Sequence, residues 1–110
     1  MTFLYLSSSQ MGAGDPVLGK KLLKSFLEKL AESGEKVDLI GCVNSGIDLT
    51  TTGSEVLDIL KKFEQRGARI ATCGTCLDYH DKRDKLQIGE VGTMDQTIQV
   101  MIQADKIIRP

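Results

Sequence analysis

The feature that narrows the fold most is alternation: short apolar runs trade places with longer stretches whose apolar residues recur at helical spacing. Phe3-Leu4-Tyr5-Leu6 predicts a first strand that ends in Ser7-Ser8-Ser9. Asp15-Pro16 has the form of an N-cap followed by proline at the first helical position. Leu18, Leu22, Leu23, Phe26, Leu27 and Leu30 then supply a helical stripe, which Gly34 is placed to close. Val37 to Val43 predicts a second strand, apolar except for Asp38, as expected of a sheet covered on both faces. Thr52 with Glu55 matches a capping box, so a second helix is expected from about Gly53, burying Val56, Leu57, Leu60 and Phe63 and ending at Gly67.

Ala68 to Thr72 predicts a third strand running straight into Cys73-Gly74-Thr75-Cys76. Leu77 to Lys85 is polar and allows one or two helical turns; Leu86 to Val91 allows a short fourth strand. Thr93 with Gln96 is another capping box, and Met94, Ile98, Met101 and Ile102 mark a last helix before a closing strand at Lys106-Ile107-Ile108. This order predicts an α/β fold: a five-stranded parallel sheet with right-handed crossovers and helices on both faces. Chemistry in such folds sits at the carboxyl ends of the strands. Ser7 to Asp15, Asn44 to Thr52 and Cys73 to Tyr79 should therefore meet on one rim.

Composition excludes several classes of function. The 110 residues make one domain spanning 1–110, 41% hydrophobic and 26% charged, with a formal net charge of -1. No basic block, no tryptophan and 5% aromatic residues leave no surface suited to nucleic acid. No apolar run approaches a membrane span, and the N-terminus lacks a basic leader, so no membrane association is expected. Three cysteines without an export signal point to a cytoplasmic protein whose thiols are core filler, metal ligands or reactive groups.

The Cys73–Cys76 pair is the sharpest candidate site. A CxxC at a strand-to-helix junction can be made reactive by the backbone N–H groups of the helix start, which lower a thiol's pKa. A thiolate there can take sulfur as a persulfide, and the second cysteine can resolve it or form a transient disulfide. The competing reading is two small residues at a tight turn, with Gly74 supplying the unusual dihedrals. Cys42, inside the second strand, reads as core filler. His80 completes C-x-x-C-x-x-x-H, but a closed zinc site would need Cys42 as its fourth ligand, so no metal is expected. Gly12 and Gly14 before a helix are weak evidence for an anion site. Asn44, Ser45 and Gly46, with Thr50 to Ser54, form a hydroxyl-rich loop able to hydrogen-bond a small substrate beside Gly74 and Thr75. Nothing in the sequence asks for a cofactor.

Asn44-Ser45-Gly46-Ile47-Asp48-Leu49-Thr50, Thr52-Gly53-Ser54-Glu55-Val56-Leu57 and Cys73-Gly74-Thr75-Cys76-Leu77-Asp78-Tyr79 resemble the YedF family, as does Met11-Gly12 followed by Leu18-Gly19-Lys20-Lys21-Leu22-Leu23. Members carry a DsrE-like domain and are described as sulfurtransferase-like selenium metabolism proteins. The resemblance covers essentially the whole chain and is most specific from Cys73 to Tyr79. It implies a three-layer α/β/α, Rossmann-like domain, with Cys73 matching the sulfur-carrying cysteine of the wider DsrE group and Cys76 the second cysteine of the CGTC pattern. It also implies homo-oligomers, and sulfur donor and acceptor proteins such as TusA-like carriers as partners. YedF proteins usually begin with a TusA-like domain that is not found here, so no sulfur relay within the chain is expected.

Three functions follow: a carrier of sulfur or selenium acting through Cys73 with help from Cys76, a non-catalytic binding or assembly module, and a dithiol oxidoreductase. The last ordinarily sets a proline loop against its cysteines, and Pro16 and Pro110 are not placed to supply one.

Overall fold

The computed structural model describes every residue from Met1 to Pro110. Its strands are β1 (Thr2–Leu6), β2 (Leu39–Cys42), β3 (Arg69–Cys73), β4 (Glu90–Gly92) and β5 (Lys106–Ile108), in the order β4-β3-β2-β1-β5. Every pairing is parallel. The helices are α1 (Pro16–Glu32), α2 (Leu57–Gln65), α3 (Gly74–Tyr79) and α4 (Met94–Gln103), with short 3-10 turns at Asn44–Leu49 and Arg83–Lys85. This is the three-layer α/β/α architecture expected from the alternation. The chain steps strand by strand from β1 to β4, and α4 then carries it back across the whole sheet to β5. Right-handed crossovers put α1 and α2 on one face and α4 on the other.

Strand alternation divides the sheet between those faces. Leu4, Leu6, Ile40, Cys42 and Ile70 turn toward α1 and α2, where they pack with Leu23, Leu27, Ile59, Leu60 and Phe63 in one continuous core. Each fully buried leucine or phenylalanine there contributes about 1.5–3 kcal/mol.

Local signals explain the helix ends. The Asp15 side chain accepts the Leu18 N–H at 3.0 Å, and Pro16 opens α1. Gly34, just past its end, has φ +76°, a conformation that glycine enters without a steric penalty. At α4 both halves of the capping box form: Thr93 Oγ accepts from Gln96 N, and Gln96 Oε1 accepts from Thr93 N.

Two sequence expectations are corrected. The second helix begins at Leu57, not near Gly53, because Thr51 and Leu86 form an antiparallel bridge and Thr52 N donates to Lys85 O at 3.0 Å. That pairing occupies Thr51 and Thr52, and the turn that follows β2 is the 3-10 segment Asn44–Leu49, capped at Thr50. The buried stripe of α1 is Gly19, Leu23, Leu27 and Ala31; Leu18 and Leu22 are 55% and 44% exposed. The last helix forms where expected, as α4, but it buries none of its residues: Met94, Ile98 and Ile102 are 53%, 50% and 78% exposed.

Candidate functional site

A parallel sheet brings all five strand C-termini to one edge, and three loops meet there. After β1, Ser9 N donates to Ser45 Oγ at 3.1 Å and Gln10 N donates to Ser8 Oγ at 3.1 Å, which ties this loop to the turn after β2. Gly46 closes the junction: a Cβ there would lie 2.1 Å from the Leu6 carbonyl oxygen, so only a bare Cα fits. After β2, Asn44 takes φ +51°, and its N–H donates to the Cys76 sulfur at 3.2 Å. Asparagine is one of the few non-glycine residues that enter this conformation readily.

After β3 the chain turns into α3 at Cys73, which occupies the N-cap position, and Cys76 follows in the first turn. Both thiols are free and half-buried, whereas Cys42 is sealed in the core. Thr72, the residue before Cys73, is fixed from below by a buried 2.7 Å hydrogen bond between its hydroxyl and that of Thr50. Thr50 and Thr51 hydroxyls also donate to the Ile47 carbonyl, at 3.2 and 3.0 Å. The backbone under the cysteines is therefore held by a satisfied polar network; no buried side-chain nitrogen or oxygen lacks a partner.

The electrostatics of Cys76 depart from the expectation of a thiol acidified by helix amides. Burial raises its pKa above the ordinary thiol value, the Asn44 N–H lowers it in part, and the adjoining Cys73 sulfur raises it further by hydrogen bond and charge. Desolvation outweighs one N–H, and α3 has only six residues, too few for a strong dipole. Cys76 therefore keeps its proton at neutral pH. Cys42 has no polar compensation, and burial pushes its thiol up to about 12.

The remaining sequence candidates fall in place around the pair. Asn44 and Thr75 are exposed, Ser45 is half-buried between loops, and Gly46 and Gly74 are buried. His80 is exposed, edge-on to the Tyr79 ring with centroids 5.0 Å apart. No group of three His, Cys, Asp or Glu residues is arranged to hold a metal ion. A cavity of about 190 Å³ opens on the α1 side of the rim, lined by Ser9, Lys20, Lys24, Asp48, Ser54 and Glu55 among others; the cysteines lie outside its lining.

Arg83 was not among the residues singled out by sequence. Its Nε and Nη2 donate to the two carboxylate oxygens of Asp78, at 2.7 and 2.9 Å, and Nη2 lies where a side chain on Gly74 would be, 2.9 Å from an ideal Cβ. In sequence it is one charge in a polar stretch; the turn after α3 folds it back onto the residue next to Cys73.

The fold recurs in two solved structures. A protein of unknown function from Methanobacterium thermoautotrophicum, MTH1491, is 18% identical with a TM-score of 0.71, over 99% of this chain and 97% of that one. The ychN protein from E. coli is 15% identical with a TM-score of 0.64, over the same shares of the two chains. No family model matches this sequence, and neither does any curated protein. Likeness at these identities establishes the DsrE-like fold.

Proposed function

We propose that this protein carries sulfur, or its heavier congener selenium, as a persulfide on Cys73, in the manner of the YedF-type DsrE-like domains its sequence resembles. The observation that carries the reading is the pairing of two free, half-exposed thiols on the carboxyl rim of a parallel sheet, one of them hydrogen-bonded by the Asn44 backbone. Cys73 stands at the end of β3 and accepts the sulfur. Cys76 is held protonated by its surroundings, so it is suited to donate a hydrogen bond to the loaded sulfur. Small protein carriers can reach the thiols as donors or acceptors, because the thiols sit on an open rim. A reducing compartment such as the cytoplasm suits such thiols.

Self-association belongs to the same proposal. Met94, Ile98 and Ile102 recur every fourth residue on the outer side of α4, and a second copy of the chain would cover them. Sedimentation at micromolar concentration should show an oligomer that Ile98→Glu dissociates.

The decisive experiment is intact mass measurement after incubation with a persulfide donor. Wild type should gain the mass of one sulfur atom, Cys73→Ser should gain none, and Cys76→Ser should still load. Failure of wild type to load while a known carrier loads under the same conditions would count against the reading.

A further inference from the structure

The Arg83 guanidinium has a place in this site that its ion pair alone does not explain. Of the chain's four arginines, Arg66 donates to the Ala31 carbonyl, Arg69 pairs with Glu90 at the far end of β3, and Arg109 lies over the Tyr5 ring. Only Arg83 reaches the cysteine turn, where it lies against the bare Cα of Gly74. The neighbouring cation, Lys82, is engaged by Asp48 at 2.9 Å. A guanidinium has five N–H donors. Asp78 takes two of Arg83's, which leaves three on a side chain that is about half exposed. The Asp78 pair fixes the fork and leaves those donors free beside Gly74, the residue after Cys73.

Taking the persulfide reading as its basis, we infer that Arg83 is the specificity residue for an anionic sulfur donor: a sulfane sulfur bonded to an oxyanion, the thiosulfonate class of which thiosulfate is the simplest member. The Cys73 thiolate attacks the outer sulfur of thiosulfate. The bond between the two sulfurs of the donor breaks, its electron pair leaves with sulfite, and Cys73 becomes the persulfide; no oxidant or reductant is consumed. The charge that accumulates on the departing sulfite oxygens is what a fixed guanidinium fork recognises. Because Asp78 already balances the net charge, selection rests on directed N–H groups. Lysine would therefore replace Arg83 poorly.

The test loads the full chain with thiosulfate in a single turnover, following sulfite release and the intact mass, with inorganic polysulfide as a second donor for wild type. Cys73 alkylation by iodoacetamide and by iodoacetate, located by peptide mass mapping, compares a neutral with an anionic reagent of similar size. In Arg83→Gln the half-saturating thiosulfate concentration should rise about tenfold or more, as for loss of a charge-assisted hydrogen bond. The iodoacetate-to-iodoacetamide rate ratio should fall several-fold, and Arg83→Lys should restore little of either. Gly74→Ala gives a second route. Its methyl meets the end of the flexible Arg83 side chain first and Val91 Cγ1 next, at 3.0 Å, so the fold is retained while the guanidinium is displaced; both readouts should move the same way. The inference is overturned if neither readout moves in these variants. It is also overturned, with the persulfide reading intact, if wild type loads from polysulfide and never from thiosulfate; loading from neither donor removes both.

Discussion

The ends of β2 and β3 run side by side, and each carries a cysteine, yet the two have opposite fates. In register, Leu6, Cys42 and Thr72 form one row across β1, β2 and β3, and all three are buried on the side of α1 and α2. Cys73 is one residue beyond that row, paired with Gly92 of β4. Strand side chains alternate, so the single step takes the thiol off the core face and out to the rim. Cys42 is 0% exposed with its pKa raised to about 12, while Cys73 and Cys76 are open to solvent in part. Register parity, more than residue type, separates an inert thiol from one that can react.

That contrast breaks most easily by alkylation, where the expected effect is largest. A neutral reagent under native conditions should label Cys73 and Cys76 and spare Cys42, by a rate ratio of about a thousandfold or more, since Cys42 reacts only when the core opens. In denaturant all three should label alike. Comparable native labelling of Cys42 would mean that the end of β2 is not sealed.

The same division runs through the helices. Leu60 on α2 is 0% exposed, whereas Ile102 on α4 is 78% exposed. Leu60→Ala should cost about 2–5 kcal/mol in denaturant unfolding, and Ile102→Ser about 0.5 kcal/mol or less in the separated monomer. Similar losses from both would show that α4 is part of the core after all.

These contrasts also mark what could be read from sequence. The succession of strands and helices along the chain, both ends of α1, the capping box of α4 and the meeting of three loops at one rim follow from local patterns such as Asp15-Pro16, Gly34 and Thr93 with Gln96. Helical periodicity gave the right helices and the buried face of α2, but on α1 it took in two leucines that stay exposed. Leu18 and Leu22 share the spacing of Leu23 and Leu27, and only the position of α1 over the sheet decides which pair is buried. Thr52 and Glu55 satisfied a capping pattern that lost to tertiary hydrogen bonds with Lys85 and Gln87. Arg83 was illegible because its role depends on a turn that folds a polar segment back on Gly74, and no local spacing encodes that contact.

Asn44 sharpens the comparison on the rim side. Its φ of +51° aims the backbone N–H at Cys76, and a β-branched residue resists that conformation. Asn44→Val should cost about 1–2 kcal/mol, whereas Asn44→Gly should cost little and leave alkylation of Cys76 within about twofold of wild type. A neutral Asn44→Val would mean that the turn can relax without this dihedral, and the Cys76 hydrogen bond would no longer count as fixed.

The smallest effect tests the buried side through its protons. Unfolded, the Cys42 thiol ionises near its ordinary value of 9.0; folded, it holds its proton to about 12. Between these values the native state binds the proton and the unfolded state does not, so stability is unaffected below the first and falls as pH rises toward the second. The slope from this one group is at most about 1.4 kcal/mol per pH unit. Cys76, whose pKa is also raised, adds a slope of the same sign. The useful quantity is a difference between variants, in which every group common to both cancels. Cys42→Ala should flatten the alkaline limb of unfolding free energy against pH more than Cys76→Ser does, whatever each does to stability at pH 7. Equal flattening would place the two sulfurs in equivalent surroundings, and burial of the β2 end would no longer explain why Cys42 is the inert thiol.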